Sequence, residues 1–225
     1  DSSSSRGLGD VYKRQIWESN GTLLETMLRA LGQSVTQRRV VADQPDALRQ
    51  ALLDLAHDCD VVVSTGGVSA GDTDWIRPLV AELGAVDFWK LFLRPGRPFA
   101  FGSIVEGLPF FGLPGNPVAA AVTALQLLWP ALQVLEGQSE PELFPRVMVE
   151  LADPLSRRPG RPELARARLD TNAAGTLLAR VDGSQASSRI GSLQQADLLL
   201  ELPAEAGPLE SGTRLWAQLI RQRIF

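Results

Sequence analysis

The chain has 225 residues, 44% of them hydrophobic and 21% charged. That is enough apolar mass for one large domain, or a medium one followed by a small one, and it excludes disorder as the main state. With 22 Lys+Arg against 26 Asp+Glu the net charge is −4, so no global positive field draws nucleic acid or an anionic membrane, and small molecules are the expected partners. One cysteine, Cys59, and one histidine, His57, leave no intramolecular disulfide and no zinc site of the usual ligand types. A reducing cytosolic setting is expected, with any metal a hard cation held by oxygen.

The opening Asp1 to Gln15 (DSSSSRGLGDVYKRQ) is polar, Ser-rich and without an apolar core. It reads as a tail, or as sequence foreign to the adjoining domain, and not as a signal peptide. Ser19 or Asn20 then caps a helix whose Leu23, Leu24, Met27, Leu28 and Leu31 share a face, with Gly32 placed to end it. Val35 to Val41 is expected to be a strand. Asp43 and Pro45 open a second helix carrying Leu48, Ala51, Leu52 and Leu55, and Asp60 to Ser64 (DVVVS) has the continuous apolar character of a strand buried on both faces. A third helix is expected between Trp75 and Leu83, then strands at Val86–Leu93, Phe99–Ser103 and Phe110–Leu113. Strands alternating with helices predict an α/β fold with a mostly parallel sheet covered on both sides. The uncharged run Pro117 to Leu135 is long enough to cross a bilayer, but its position after a short strand and a Pro-Gly turn predicts a buried helix.

Gly137 to Pro145 (GQSEPELFP) lacks periodicity and reads as a linker. Beyond it, short alternating runs at Arg146–Leu151, Leu164–Leu169, Thr176–Val181, Ala196–Leu202 and Arg214–Ile220, with turn residues between, predict a small β-barrel or sandwich.

Three segments carry the residue types of a binding site. The first, Ser64 to Trp75 (STGGVSAGDTDW), lies between a buried strand and a helix. Gly66, Gly67 and Gly71 let backbone amides approach an anion closely, Thr65 and Ser69 add hydroxyls, and Asp74 offers a carboxylate through which Mg²⁺ could bridge to a ligand. The glycines could equally make a tight turn, with Asp72 or Asp74 as a helix cap. The second, Lys90 to Pro98 (KLFLRPGRP), places Lys90, Arg94 and Arg97 around a Pro-Gly turn, either as an oxyanion clamp or as a solvated strand end. The third, Gly112 to Pro117 (GLPGNP), is another strand-to-helix turn in which Pro117 suits the first helical position and Asn116 the cap. As successive loops of one sheet the three can face one crevice. Bland roles are expected elsewhere: His57 at a helix end, Cys59 filling core beside a strand, Trp129 packing. Arg157, Arg158, Arg161, Arg166 and Arg168 form a local basic cluster that solvated turns largely explain, although one or two could hold a phosphate.

In this order, TGGVSAGDTDW at 65–75, FWKLFLRPGRPFAFG at 88–102 and GLPGNP at 112–117 resemble the molybdopterin molybdenumtransferase family (MoeA-type, related to the E domain of gephyrin). The similarity extends to IWESNGTLL at 16–24 and to the β-rich C-terminus. It implies a molybdopterin-binding, MogA-like α/β domain over 16–136, a linker over 137–145 and a C-terminal β-barrel domain over 146–225. It also implies insertion of molybdenum from molybdate into adenylylated molybdopterin, with Mg²⁺ and release of AMP. Carried over by residue, Asp74 matches an acidic position serving metal and adenylate chemistry, and Lys90 and Arg94 match two active-site cations. Pro114 and Pro117 match the prolines of the third turn, with Gly115 and Asn116 between them, and Arg166 and Ser187 match functional positions in the barrel.

There are departures from the pattern. Arg94 and Arg97 stand where lysine is usual, and Trp75 replaces a frequent tyrosine. The family's two N-terminal domains, and the first strand of the α/β domain with its Gly-Asp-Glu segment, have no counterpart here. Because family enzymes are homodimers with the site between subunits, the chain is expected to be a ligand-binding fragment with little turnover alone. A molybdopterin adenylyltransferase is both an expected partner and the nearest rival assignment, since it shares the α/β fold but usually lacks the second domain. A non-catalytic binding or scaffold module is a second rival. A nicotinamide-nucleotide amidase relative is disfavoured by the wording of the first loop.

Overall fold

Helix α1 (Asn20–Ala30) buries Leu24 and Leu28, one helical turn apart, and closes with Gly32 at φ +84°. The structure, a computed structural model, describes residues 19–68, 75–181, 185–188 and 190–221. Helix α2 (Pro45–Asp58) comes next, opened by Pro45, and then strand β1 (Val62–Thr65). Helix α3 (Ile76–Leu83) leads directly into β2 (Gly84–Trp89), β3 (Ala100–Ile104) and β4 (Leu108–Leu113). The four strands form one sheet in the order β1-β4-β3-β2.

Phe110 and Phe111 divide the sheet into its two faces, because successive strand residues point to opposite sides. Phe110 packs with Val62, Ala100 and Ile104 under α2 and α3, through Leu52, Ile76, Leu79 and Val80. Phe111 packs with Phe99 and Leu113 under α1 and the helical run from Pro117 to Leu135. That run comprises α4 (Pro117–Thr123), a π turn (Ala124–Leu128) and α5 (Trp129–Leu135). Pro130 has no N–H to give the helical ladder, and the widened turn lies immediately before it. The run is long and apolar enough to cross a membrane by composition, but 61% of its most apolar window is buried within the protein. It is the core helix of the α/β unit.

One expectation is met only in part and another fails. The sheet is mixed: β1 and β4 are parallel, whereas β2–β3 and β3–β4 are antiparallel. The cause is connection length. Parallel neighbours need a crossover of a dozen or more residues, and β3 reaches β4 through only Val105, Glu106 and Gly107, all at positive φ. Val35–Val41 forms no strand among the described residues, since an extended segment needs a neighbour to ladder with. Its side chains reach the end of α2 instead, where Gln37 bonds Asp58 at 3.0 Å, Arg39 bonds Asp54 at 2.6 Å, and Thr36 meets the Cys59 Sγ at 3.5 Å. Cys59 is therefore a partly buried edge residue rather than core filling.

The second unit begins at β5 (Arg146–Leu151) and continues with β6 (Glu163–Thr171), β7 (Leu177–Arg180), the short helix α6 (Gly191–Gln194), β8 (Leu198–Leu202) and β9 (Arg214–Leu219). These strands close a barrel in the order β5-β7-β6-β8-β9, which leaves no sheet edge. Alternate residues Val149/Leu151, Ala165/Ala167, Leu198/Leu200/Leu202 and Leu215/Ala217 fill its interior. Leu199 and Leu164 point outward and are still buried, against Val118 and Val122 of α4. Backbone bonds reinforce this seam: Arg94 N–H donates to Pro162 O at 3.0 Å, and Leu164 N–H to Arg94 O at 2.8 Å. The apolar run LLL in β8 thus reflects burial on both faces of the strand.

Leu199→Ala should cost about 2–5 kcal/mol in urea unfolding, as much as Leu200→Ala on the opposite face. A loss below about 0.5 kcal/mol would mean that the seam is not packed in solution.

Candidate functional site at the rim of the sheet

Three loops leave the sheet at one level. Thr65 is in register with Leu113, Trp89 with Ala100, and Ala100 with Gly112. The ends of β1, β2 and β4 and the start of β3 therefore form one rim, from which the segments starting at Gly66, Lys90 and Pro114 emerge. In open α/β sheets this carboxyl-end rim is where ligands bind.

The first and third loops touch. Gly66 N–H donates to Leu113 O at 3.1 Å, and a Cβ on Gly115 would lie 3.5 Å from the Gly66 Cα. Gly66 and Gly67 are both left-handed, at φ +80° and +65°, and a Cβ on Gly67 would come within 2.7 Å of the Ile76 side chain. The pair is a steric necessity of the turn as well as an exposure of amides. Pro114 is buried and Pro117 opens α4. Asn116 occupies the N-cap position but makes no side-chain capping bond, so its amide is not engaged as expected. Ser69, Gly71 and Asp74 lie outside the described residues.

Lys90 stands out in the second loop because its φ is +91°, in the left-handed region that non-glycine residues avoid. Two backbone bonds hold it there, Lys90 N–H to Phe99 O at 2.8 Å and Leu91 N–H to Arg97 O at 2.9 Å. Strain of this kind, about 1–3 kcal/mol, persists where surrounding structure over-determines it, and it concentrates at functional sites. Lys90, Arg94 and Arg97 are exposed.

The barrel adds two further residues to the same region. Val118 N–H, in the first turn of α4, donates to Ser187 O at 3.0 Å, which brings Ser187 beside the third loop. Arg166 is only 3% exposed. Its Nε donates to Ser192 Oγ at 2.8 Å and its Nη2 to Ala186 O at 3.3 Å. Neither partner is a carboxylate. Burial lowers the Arg166 pKa from the usual arginine value, nearby Glu163 opposes this, and the Arg94 charge adds to the lowering. An arginine remains protonated under such a shift, so the seam holds a buried cation that an incoming oxyanion would stabilise.

The amino-terminal unit matches the family described as a probable molybdopterin binding domain over residues 7–134. The chain belongs to the molybdopterin-binding domain family. Its barrel matches the MoeA C-terminal region (domain IV) over residues 148–219. The chain is 30% identical over 198 residues to a molybdopterin molybdenumtransferase of Haemophilus influenzae, covering 88% of this chain and 49% of that protein. It is 31% identical over 235 residues to gephyrin of Dictyostelium discoideum, covering 91% of this chain and 33% of that one. A solved molybdopterin biosynthesis moeA protein from Pyrococcus horikosii superimposes with a TM-score of 0.76 at 25% identity, covering 92% of this chain and 49% of that one. The chain spans about half the length of the molybdenumtransferase and about a third of gephyrin.

Within this molybdopterin-binding fold, three residues near the site carry no sequence signal for their roles. Asn20 is a cap candidate by sequence, yet Ser19 takes that position and Asn20 is buried at 7% exposure, its Nδ2 donating to Gly115 O at 2.8 Å. Its Oδ1 is buried without a hydrogen-bond partner, as is Ser64 Oγ at the end of β1. Two orphaned oxygens near the rim loops are unusual, since buried polar atoms are nearly always satisfied. The third, Glu163, is 8% exposed and meets Arg94 Nη1 at 3.6 Å. An asparagine in ESNG carries no periodic signal, and the Glu163–Arg94 pairing joins residues nearly seventy positions apart, so neither is visible in one dimension.

Lys90→Gly should hold stability or raise it by about 1–2 kcal/mol. It releases left-handed strain of about 1–3 kcal/mol against a glycine entropy cost of about 0.5–1 kcal/mol. Lys90→Ala keeps the strain and should show no gain in the same urea titration.

Proposed function

We propose that this chain binds molybdopterin at the three-loop rim and serves in the enzyme that inserts molybdenum from molybdate into adenylylated molybdopterin, releasing AMP. The observation that carries the proposal is the level register of Thr65, Leu113, Gly112, Ala100 and Trp89, which gathers the glycine turn, the cationic loop and the Pro-Gly turn at one crevice. The relatives named molybdopterin molybdenumtransferase and gephyrin support it. The domain IV match over 148–219 favours it over a stand-alone adenylyltransferase.

In this proposal the roles follow from chemistry. Amides near Gly66, Gly67 and Gly115 face the pterin and its phosphate, with Thr65, Ser69, Gly71, Asn116 and the ring faces of Pro114 and Pro117 shaping the cleft. Lys90, Arg94 and Arg97 supply cationic donors for phosphate and molybdate oxygens, and Arg166 with Ser187 closes the barrel side. In the phosphoanhydride cleavage an oxygen of molybdate or water adds to one phosphorus as the bridging P–O bond breaks and AMP leaves, and a fixed array of cations favours the charge that builds on the departing phosphate. Among the described residues no group of three or more His, Cys, Asp or Glu could hold a metal ion. Asp74, to which Mg²⁺ is assigned by resemblance, lies outside them; the cationic side chains of the described rim are Lys90, Arg94 and Arg97. A homodimer that completes the site, an adenylyltransferase that delivers the substrate and a cytoplasmic location belong to the same proposal.

The test is molybdopterin binding by this 225-residue polypeptide. Lys90→Gln removes a charge-assisted contact of about 1.5–3 kcal/mol and should weaken binding at least tenfold, with the far-ultraviolet dichroism unchanged. Equal affinity for the variant would place the ligand elsewhere. In the intact enzyme, Asp74→Asn should abolish AMP release, and release at the unmodified rate would remove Asp74 from the chemistry.

A further inference from the structure

A second cationic cluster lies in the seam, where the second rim loop meets the barrel. A cavity of about 300 Å³ opens where the Arg94 loop meets the β5–β6 connection, lined by Arg94, Arg157, Arg158, Arg161 and Glu163 among others. Four arginines and a single carboxylate are among its lining residues. That carboxylate belongs to Glu163, which is buried and turned to Arg94 at 3.6 Å.

Two of the guanidiniums are held in place by neutral groups. Arg157 Nη1 donates to Pro203 O at 2.5 Å and to Ala206 O at 2.7 Å, and its Nη2 to Arg161 O at 3.4 Å. Its Nε is buried and has no hydrogen-bond partner. Arg161 Nη1 donates to Leu93 O at 3.1 Å, across the seam. Carbonyls fix these side chains without cancelling their charge. Their rotamer entropy is therefore lost on folding, and little remains to be lost on binding. Arg158 is exposed and has no ion-pair or hydrogen-bond partner among the described residues.

We propose that this cavity is a binding site for a small phosphate-bearing or similar tetrahedral dianion, received by Arg157, Arg158 and Arg161. The guanidinium fork matches two oxygens of such a group, and a partly enclosed wall strengthens the attraction relative to open water. The volume exceeds what a lone oxyanion needs and leaves room for a short organic group behind the phosphate. This site shares Arg94 with the rim proposed above but involves none of Lys90, Gly66 or Gly115, and its anion would be received by arginines of the β5–β6 connection.

The experiment titrates the 225-residue polypeptide calorimetrically with inorganic phosphate and, separately, with phenyl phosphate, at fixed low ionic strength so that chloride does not compete. Both anions should bind, and tighter binding of phenyl phosphate would identify an organic phosphate as the natural occupant. Arg158→Glu should weaken binding at least tenfold. Glu163→Gln, which removes the carboxylate from the lining, should tighten it several-fold. These opposite signs do not arise from general loss of folding, which would weaken both. No heat with the unmodified chain, or equal affinity in Arg158→Glu, overturns the proposal. If instead Lys90→Gln abolishes phosphate binding while Arg158→Glu preserves it, the anion sits at the rim; this proposal then fails and the rim reading stands.

Discussion

The level alignment of strand ends is the constraint on which the rest of the molecule depends. Parallel pairing of β1 with β4 puts two strand-to-helix turns side by side, and the antiparallel β2–β3–β4 meander returns a third loop to the same height. A one-residue slip of β4 against β1 would move Phe110 and Phe111 to each other's faces and disrupt both helical layers. The packing that stabilises the sheet therefore also sets the separation of the loops. Loop residues could vary in chemistry without altering that frame.

The barrel is joined to this rim by more than a linker. Leu199 and Leu164 pack on α4, and Arg94 and Glu163 share an isolated parallel bridge, so the cationic loop of one unit is ordered by the backbone of the other. Glycine and proline turns alone would expose amides to any anion. The second unit adds a buried guanidinium at Arg166 and the arginines of the β5–β6 connection, converting a polar edge into a positively biased seam. An acidic chain thereby presents a local field of the opposite sign to its net charge, a property of placement and not of composition.

Much of the architecture is legible from periodicity. The 3.6-residue spacing of Leu24 and Leu28, the continuous apolar run ending in Val62 and Val63, and the two-residue alternation of Val149 and Leu151 each name their element correctly. The failures have one origin. Val35–Val41 has strand-forming residues but no neighbour to pair with, and β3 and β4 have strand residues whose direction depends on a three-residue connection. Direction and pairing are relations between segments, and they do not appear in the periodicity of either one.

The candidate site divides in the same way. The glycine pair after Thr65, cations around a Pro-Gly turn and the GLPGNP turn are local patterns, because turn geometry and charge spacing are set over a few residues. The sequence alone determined most segment types, the two-unit order and which loops carry glycines, prolines and cations. The tertiary structure decided which of them meet. It placed Asn20 against Gly115, Glu163 beside Arg94, and Arg157 and Arg161 in the lining of a cavity. Those contacts arise only when register and domain packing bring distant segments within a few ångströms, and the free energy selecting that arrangement comes largely from burying apolar side chains such as Phe111, Leu128 and Leu199.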